Sequence, residues 1–141
     1  MMRVPCTIAA SKIHGLGVYA LSDIAKGATV WQFSRIFDRL IPEYIWMQAT
    51  KAEQEKLFER GFRTAELGAD IYMCGDEGAF LNFLPPEEAN IELGGVVDGL
   101  DILIAKRDIK AGEELTVPPE SDADYQRKMA QLKSEPERKD Q

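Results

Sequence analysis

The chain has few groups able to do chemistry, and their spacing narrows the options further. Its single histidine is His14, and its two cysteines, Cys6 and Cys74, stand 68 positions apart. That pattern has neither metal-ligand spacing nor a disulfide framework, so no metal site is expected. Ser-His-Asp and Cys-His nucleophilic arrangements have no evident geometry here, which sets hydrolase chemistry aside. His14 precedes Gly15 in a surface turn, where packing or a backbone hydrogen bond is the expected role. Glu87-Glu88 and Glu113-Glu114 are sequence neighbours, and neighbours on a strand point to opposite faces, so they read as solvated charges rather than an acid-base pair. Three features remain. Gly15-Leu16-Gly17 would let backbone approach a ligand closely or simply make a turn. Phe80-Leu81-Asn82-Phe83-Leu84 carries one amide in an apolar stretch that reads equally well as core. Tyr19, Tyr44, Tyr72 and Tyr125 supply hydroxyls.

Short strands must position these groups. The pattern predicts strands at Thr7 to Ala10, Val18 to Leu21 and Thr29 to Phe33, punctuated by Gly15, Gly17 and Gly27. From Ile41 the period changes. Pro42 suits a first helical turn, and Thr50-Lys51-Ala52-Glu53 has capping-box spacing for a helix ending at Gly61, with Leu57 and Phe58 as a core contact. Strands resume at Ile71 to Cys74, Ala79 to Phe83, Ile91 to Leu93, Leu100 to Ala105 and Glu114 to Val117, with Gly75, Pro85-Pro86, Gly94-Gly95 and Gly112 as breaks. Tyr125, Met129 and Leu132 form one stripe of a C-terminal helix over Ser121 to Lys133, and the polar residues after Ser134 are expected to fray. One echo stands out: Ala20-x-x-Asp23-Ile24-x-x-Gly27-x-x-Val30 recurs 85 positions later as Ala105-x-x-Asp108-Ile109-x-x-Gly112-x-x-Leu115. Taken alone it reads as two separate tight turns.

With 141 residues, 45% of them hydrophobic, the chain suits one domain: residues 1–120, with a helical insert at about 41–61, followed by a C-terminal helix and tail over 121–141. The net charge of -7 argues against a nucleic-acid partner. The excess is central, with 4 basic and 12 acidic residues from Phe62 to Pro119. Such a surface is either a solvated face or an attractor of a cationic peptide or cofactor. Runs such as Ile102-Leu103-Ile104-Ala105 are far too short to span a membrane, and no signal pattern opens the chain, so a cytoplasmic address is expected.

Three segments, in order, resemble the SET-domain family, and in particular its compact bacterial members. The first is Ser11-Lys12-Ile13-His14-Gly15-Leu16-Gly17-Val18-Tyr19-Ala20 with Asp23-Ile24-Ala25-Lys26-Gly27, followed by Val30-Trp31-Gln32-Phe33 and Asp38. The second is Asp76-Glu77-Gly78-Ala79-Phe80-Leu81-Asn82-Phe83-Leu84 with Asn90 beyond it. The third, Ala105-Lys106-Arg107-Asp108-Ile109-Lys110-Ala111-Gly112-Glu113-Glu114-Leu115-Thr116, is the most specific. The resemblance implies a mixed, β-rich fold of small curved sheets with a threaded C-terminal segment. It also implies S-adenosylmethionine as cofactor, a protein lysine as methyl acceptor and a basic peptide or protein as partner. Gly15, Leu16, Gly17, Asn82 and Phe83 are then the cofactor-binding residues, and Glu113-Glu114 fall where the resemblance implies a mainly structural acid before the last strand.

The sequence departs from the family pattern twice. Phe83 stands where a histidine usually follows the asparagine, and Pro119 stands where the tyrosine bordering the methyl-transfer pore is expected. Tyr125, six residues later, is the nearest following hydroxyl and the candidate catalytic residue. Two readings stay open: a protein-lysine methyltransferase, or a non-catalytic module that holds a basic partner.

Overall fold

The computed structural model describes residues 1–62 and 70–119. The predicted C-terminal helix and Tyr125 lie outside the described residues. Among the described residues, nine strands form three small sheets. The first sheet has the order β1-β2-β9-β6, from β1 (Cys6–Ala10), β2 (Leu16–Ala20), β9 (Glu114–Val117) and β6 (Asn82–Phe83). The second has the order β3-β8-β7, from β3 (Thr29–Gln32), β8 (Leu100–Ala105) and β7 (Ile91–Val97). β4 (Arg39–Ile41) and β5 (Ile71–Met73) make the third, with α1 (Glu43–Trp46) and α2 (Lys51–Arg60) between them in sequence. This is the β-rich mixed architecture of small sheets that the resemblance implies. β9 runs between β2, to which it is antiparallel, and β6, to which it is parallel.

The internal echo is the joint between the two larger sheets. Its copies bind each other reciprocally. The Ile24 amide donates to the Ile109 carbonyl at 2.8 Å, and the Ile109 amide donates back to Ile24 at 2.8 Å. The Asp23 carboxylate accepts from the Ala111 amide at 2.9 Å, and the Asp108 carboxylate accepts from the Lys26 amide at 2.8 Å. Gly27 and Gly112, at φ +86° and +92°, turn their amides onto the carbonyls of Ala105 and Ala20, both at 2.8 Å. That left-handed conformation favours glycine, which accounts for the repeated residue type. Ile24 and Ile109 are 4% and 1% exposed. The two turns are therefore one interlocked unit, not the separate turns that sequence suggested.

The core gathers Val18, Val30, Trp31, Ile91, Leu103, Ile109 and Leu115 between the sheets. Trp31 meets Phe62 and Tyr72 edge-on, with ring centroids 5.0 and 5.7 Å away. α2 begins with the predicted capping box, in which the Thr50 hydroxyl accepts from the Glu53 amide and Glu53 accepts from the Thr50 amide. No residue of α2 is fully buried, so Leu57 and Phe58 do not reach the core as expected; Phe58 packs edge-on against Trp46 of α1 instead. Two further expectations are corrected. The predicted strand Ala79 to Phe83 is a 3-10 turn, Glu77–Phe80, ahead of the two-residue β6, because the Asp76 carboxylate caps the turn through the Gly78 amide at 3.1 Å. Gly94-Gly95 does not end β7 but forms a bulge within it. A Cβ at Gly94 would come within 2.5 Å of Ile104, so the glycine serves close cross-strand approach.

Two outcomes follow from the interlocked turns. Ile109→Ala removes a buried side chain at the joint and should lower unfolding free energy by about 2–5 kcal/mol in urea titrations. The Ala111 amide and then Lys110 hold the Asp23 carboxyl below its ordinary pKa. A carboxyl depressed on folding stabilises fully above its unfolded pKa, near 4, and loses that contribution as pH falls towards the folded value. Wild-type protein should therefore lose more stability than Asp23→Asn between about pH 6 and about pH 3, measured by chemical unfolding at each pH.

Candidate functional site

Asn82 organises the region to which the sequence pointed. It is 7% exposed, on β6, and its Nδ2 lies 3.1 Å from the carbonyl oxygens of both His14 and Leu16. The Gly15–Gly17 segment and the asparagine strand, 66 residues apart in sequence at Leu16 and Asn82, thus converge through direct hydrogen bonds. The same nitrogen lies 2.8 Å from Glu114 Oε2 and 3.1 Å from Ser11 Oγ, so its two hydrogens are shared among four acceptors. Ser11 in turn donates to Glu114 Oε1 at 2.7 Å and accepts from the Ile13 amide at 2.9 Å. Glu114 is therefore not the solvated acid expected from sequence; it is half-buried at the hub of β1, β2, β6 and β9.

No cationic side chain among the described residues pairs with Glu114. Its charge is met by the donors of Ser11, Asn82 and Tyr19, whose hydroxyl lies 3.3 Å from Oε1 and 2.8 Å from the Ala10 carbonyl. Partial loss of solvent and then the Glu114 charge raise the Tyr19 phenol above its ordinary pKa, so it stays a donor. Glu113 turns the other way: Arg107 and the Lys110 amide hold its carboxyl below the usual range.

The two glycines differ. A Cβ on Gly17 would collide with Glu114 Oε2 and come 3.1 Å from Ser11 Cβ, so the missing side chain at Gly17 makes room for the carboxylate. Gly15, at φ +46°, has nothing within 4 Å of where a Cβ would stand, and Leu16 beside it is 47% exposed. The Gly15-Leu16 turn is thus exposed, while Asn82 holds the His14 and Leu16 carbonyls on either side of Gly15. His14 reaches the other way, its Nε2 lying 3.6 Å from Glu59 of α2.

On the far side of β9, Asn90 acts as a substitute strand partner. Its Nδ2 donates to the Glu114 carbonyl and its Oδ1 accepts from the Thr116 amide, both at 2.8 Å. Phe83 is 8% exposed and belongs to the core. Pro119 is buried just beyond β9, where it offers no hydroxyl. Of the other tyrosines, Tyr72 is buried and donates to Asp101, and Tyr44 is exposed on α1. Both thiols are held protonated: burial and then the charges of Glu77 and Asp76 push Cys6 up to about 11, and burial followed by the Asp38 charge pushes Cys74 up to about 12. No group of three or more potential metal ligands occurs among the described residues.

The resemblance implied a structural acid at Glu113-Glu114, but sequence reasoning missed its contacts with Ser11 and Asn82 and the strand-like role of Asn90. Their signal was present in the matched segments, but what they touch depends on β9 lying between β2 and β6. If Gly17 is glycine because of Glu114, the two positions are energetically coupled. Gly17→Ala should lower stability by about 1–3 kcal/mol through overpacking, and by markedly less in a Glu114→Ala background, as a double-mutant cycle of denaturant unfolding would measure.

The comparisons agree with this geometry. A family model, the SET domain, matches residues 15–118. A search of the curated proteins finds no match. Among solved structures, the chain is similar to the crystal structure of a candidate histone methyltransferase from Plasmodium falciparum. The two share 15% sequence identity and a TM-score of 0.55, with 83% of this chain and 94% of that one covered. At that identity the likeness concerns the fold, while the family match begins at Gly15 and takes in Asn82 and Glu114. The chain belongs to the SET-domain family.

Proposed function

We propose that the protein binds S-adenosylmethionine over the Gly15-Leu16 turn and transfers its methyl group to a lysine of a basic protein. The observation that carries this reading is that Asn82 joins the exposed Gly15-Leu16 turn to the half-buried Glu114 carboxylate, which has no cationic partner among the described residues. A negative charge so placed, in surroundings less polar than water, favours a cationic ligand over a neutral one. A ligand with a sulfonium and an ammonium group fits that requirement. When bound, the cofactor supplies an electrophilic methyl carbon to a neutral amine. The chain's part is to orient the two and exclude water, which is mostly a matter of position. Asn82 fixes the turn by holding two of its carbonyls, and Ser11 fixes Glu114. The central acidic excess suits a Lys-rich or Arg-rich substrate.

Pro119 supports a second reading. A buried proline at the position of the expected tyrosine supplies no hydroxyl to orient the amine. On that reading the protein retains the fold and the cofactor but serves as a binding module for a basic partner. Tyr125 is the hydroxyl that would have to serve in catalysis.

Calorimetric titration with S-adenosylmethionine, followed by a radiolabel assay on a Lys-rich peptide, tests both readings. The expected outcome is one-site binding, weakened at least about fivefold by Glu114→Gln (~1 kcal/mol), with label incorporated by the wild type. Binding without incorporation assigns the protein to the second reading. Absence of binding overturns both.

A further inference from the structure

A groove of about 440 Å³ opens between the N-terminal segment, the turn after β3 and the β7–β8 turn. It shares no residue with the Gly15–Asn82–Glu114 site. Its volume lies in the range of ordinary ligand sites. Phe33, Ile36 and Leu100 make its apolar lining; Arg3 and Arg35 stand at its rim, and Asp98 is its one acidic lining residue.

Both walls are built by hydrogen bonds rather than left as slack loop. On one side Asp38, whose side chain is wholly buried, accepts from the Ser34 amide at 2.9 Å and the Gly75 amide at 3.2 Å. Ser34 Oγ accepts from the amides of Ile36 and Phe37, which sets the direction of the turn carrying Arg35. On the other side the Arg3 amide donates to the Val30 carbonyl at 2.7 Å, and Phe33 donates to Asp101 at 3.0 Å. Gln32 reaches the Val97 carbonyl at 3.3 Å and ties β3 to the β7–β8 turn. Walls fixed in this way need little ordering when a ligand arrives.

The charge arrangement is selective. Arg107 pairs with Glu113, and Arg60 lies over the Phe80 ring. Arg3 and Arg35 have no such partner among the described residues, in a protein of net charge -7. Ile36, next to Arg35 in sequence, is 88% exposed, an apolar side chain that no described residue covers. Guanidinium forks match carboxylates in bidentate geometry. The geometry points to an acidic peptide segment of a partner protein as the occupant, with carboxylates on Arg3 and Arg35 and an apolar side chain against Ile36 and Phe33. A peptide fits better than an enclosed small molecule because both arginines and Ile36 are exposed along the open side. This is the opposite chemistry from that proposed for the Glu114 site, and the inference does not depend on that reading.

The test is fluorescence anisotropy of a labelled hexapeptide, Glu-Asp-Leu-Phe-Asp-Glu, with the full chain. Saturable binding is expected, falling as salt is raised, since charges at an exposed rim are screened. Arg3→Glu combined with Arg35→Glu should weaken it at least about tenfold, and Ile36→Ser about threefold, with thermal melting unchanged because all three side chains are exposed. The matching basic peptide, Lys-Arg-Leu-Phe-Lys-Arg, should not compete. Equal binding by the charge-reversed variant, binding of phosphatidylglycerol vesicles in place of the peptide, or no binding overturns the assignment.

Discussion

The reciprocal pairing of the two Asp-Ile-x-x-Gly turns is the constraint on which the other structural features rest. The first turn carries the chain from β2 to β3, and the second carries it from β8 to β9. Because Ile24 and Ile109 exchange both amide bonds, the two crossings are held at one point. That contact sets β2 beside β9 in one sheet and β3 beside β8 in the other. The hydrogen bonds are ordinary ones, each of modest net value. Their effect comes from burial and repetition, since the two isoleucines and two aspartates satisfy the amides of Ile24, Ile109, Lys26 and Ala111 within the joint.

From this joint the site follows by geometry. β9 inherits a neighbour on each side, and its first residue, Glu114, comes to lie under Gly17 and against Asn82. Two asparagines solve different problems there. Asn82 satisfies carbonyls of a turn that must keep its shape without a ladder. Asn90 satisfies the backbone of β9 at the Glu114 carbonyl and the Thr116 amide. Burying these amides is tolerable because each is matched to partners at hydrogen-bond distance.

Much of this was legible in the chain. The strand at Glu114–Val117 and the capped helix ending at Gly61 follow from local patterns, because turn and cap chemistry acts over three or four residues. The echo was visible too, but not its pairing, which joins residues 85 positions apart. The site was half legible. Gly15, Gly17 and Asn82 could be picked out by type and order and Glu114 as a structural acid by resemblance, whereas the contact of Glu114 with Ser11 could not, because it arises only when β9 enters between β2 and β6. Gly94-Gly95 misled for a related reason: local rules treat paired glycines as a stop, while the neighbouring strand uses them as a place of close contact.

The hub also bears on how the molecule comes together in time. Ser11 and Glu114 are 103 residues apart, and Asn82 is 71 residues from Ser11, so their contacts close long loops of chain. Closing such loops has an entropic cost that helices and hairpins formed nearby in sequence avoid. The hairpin of β1 and β2 and the hairpin of β7 and β8 can form early from local contacts. The hub forms only when β9 lies between its neighbours, so its contacts are the ones that bear the cost of closing long loops.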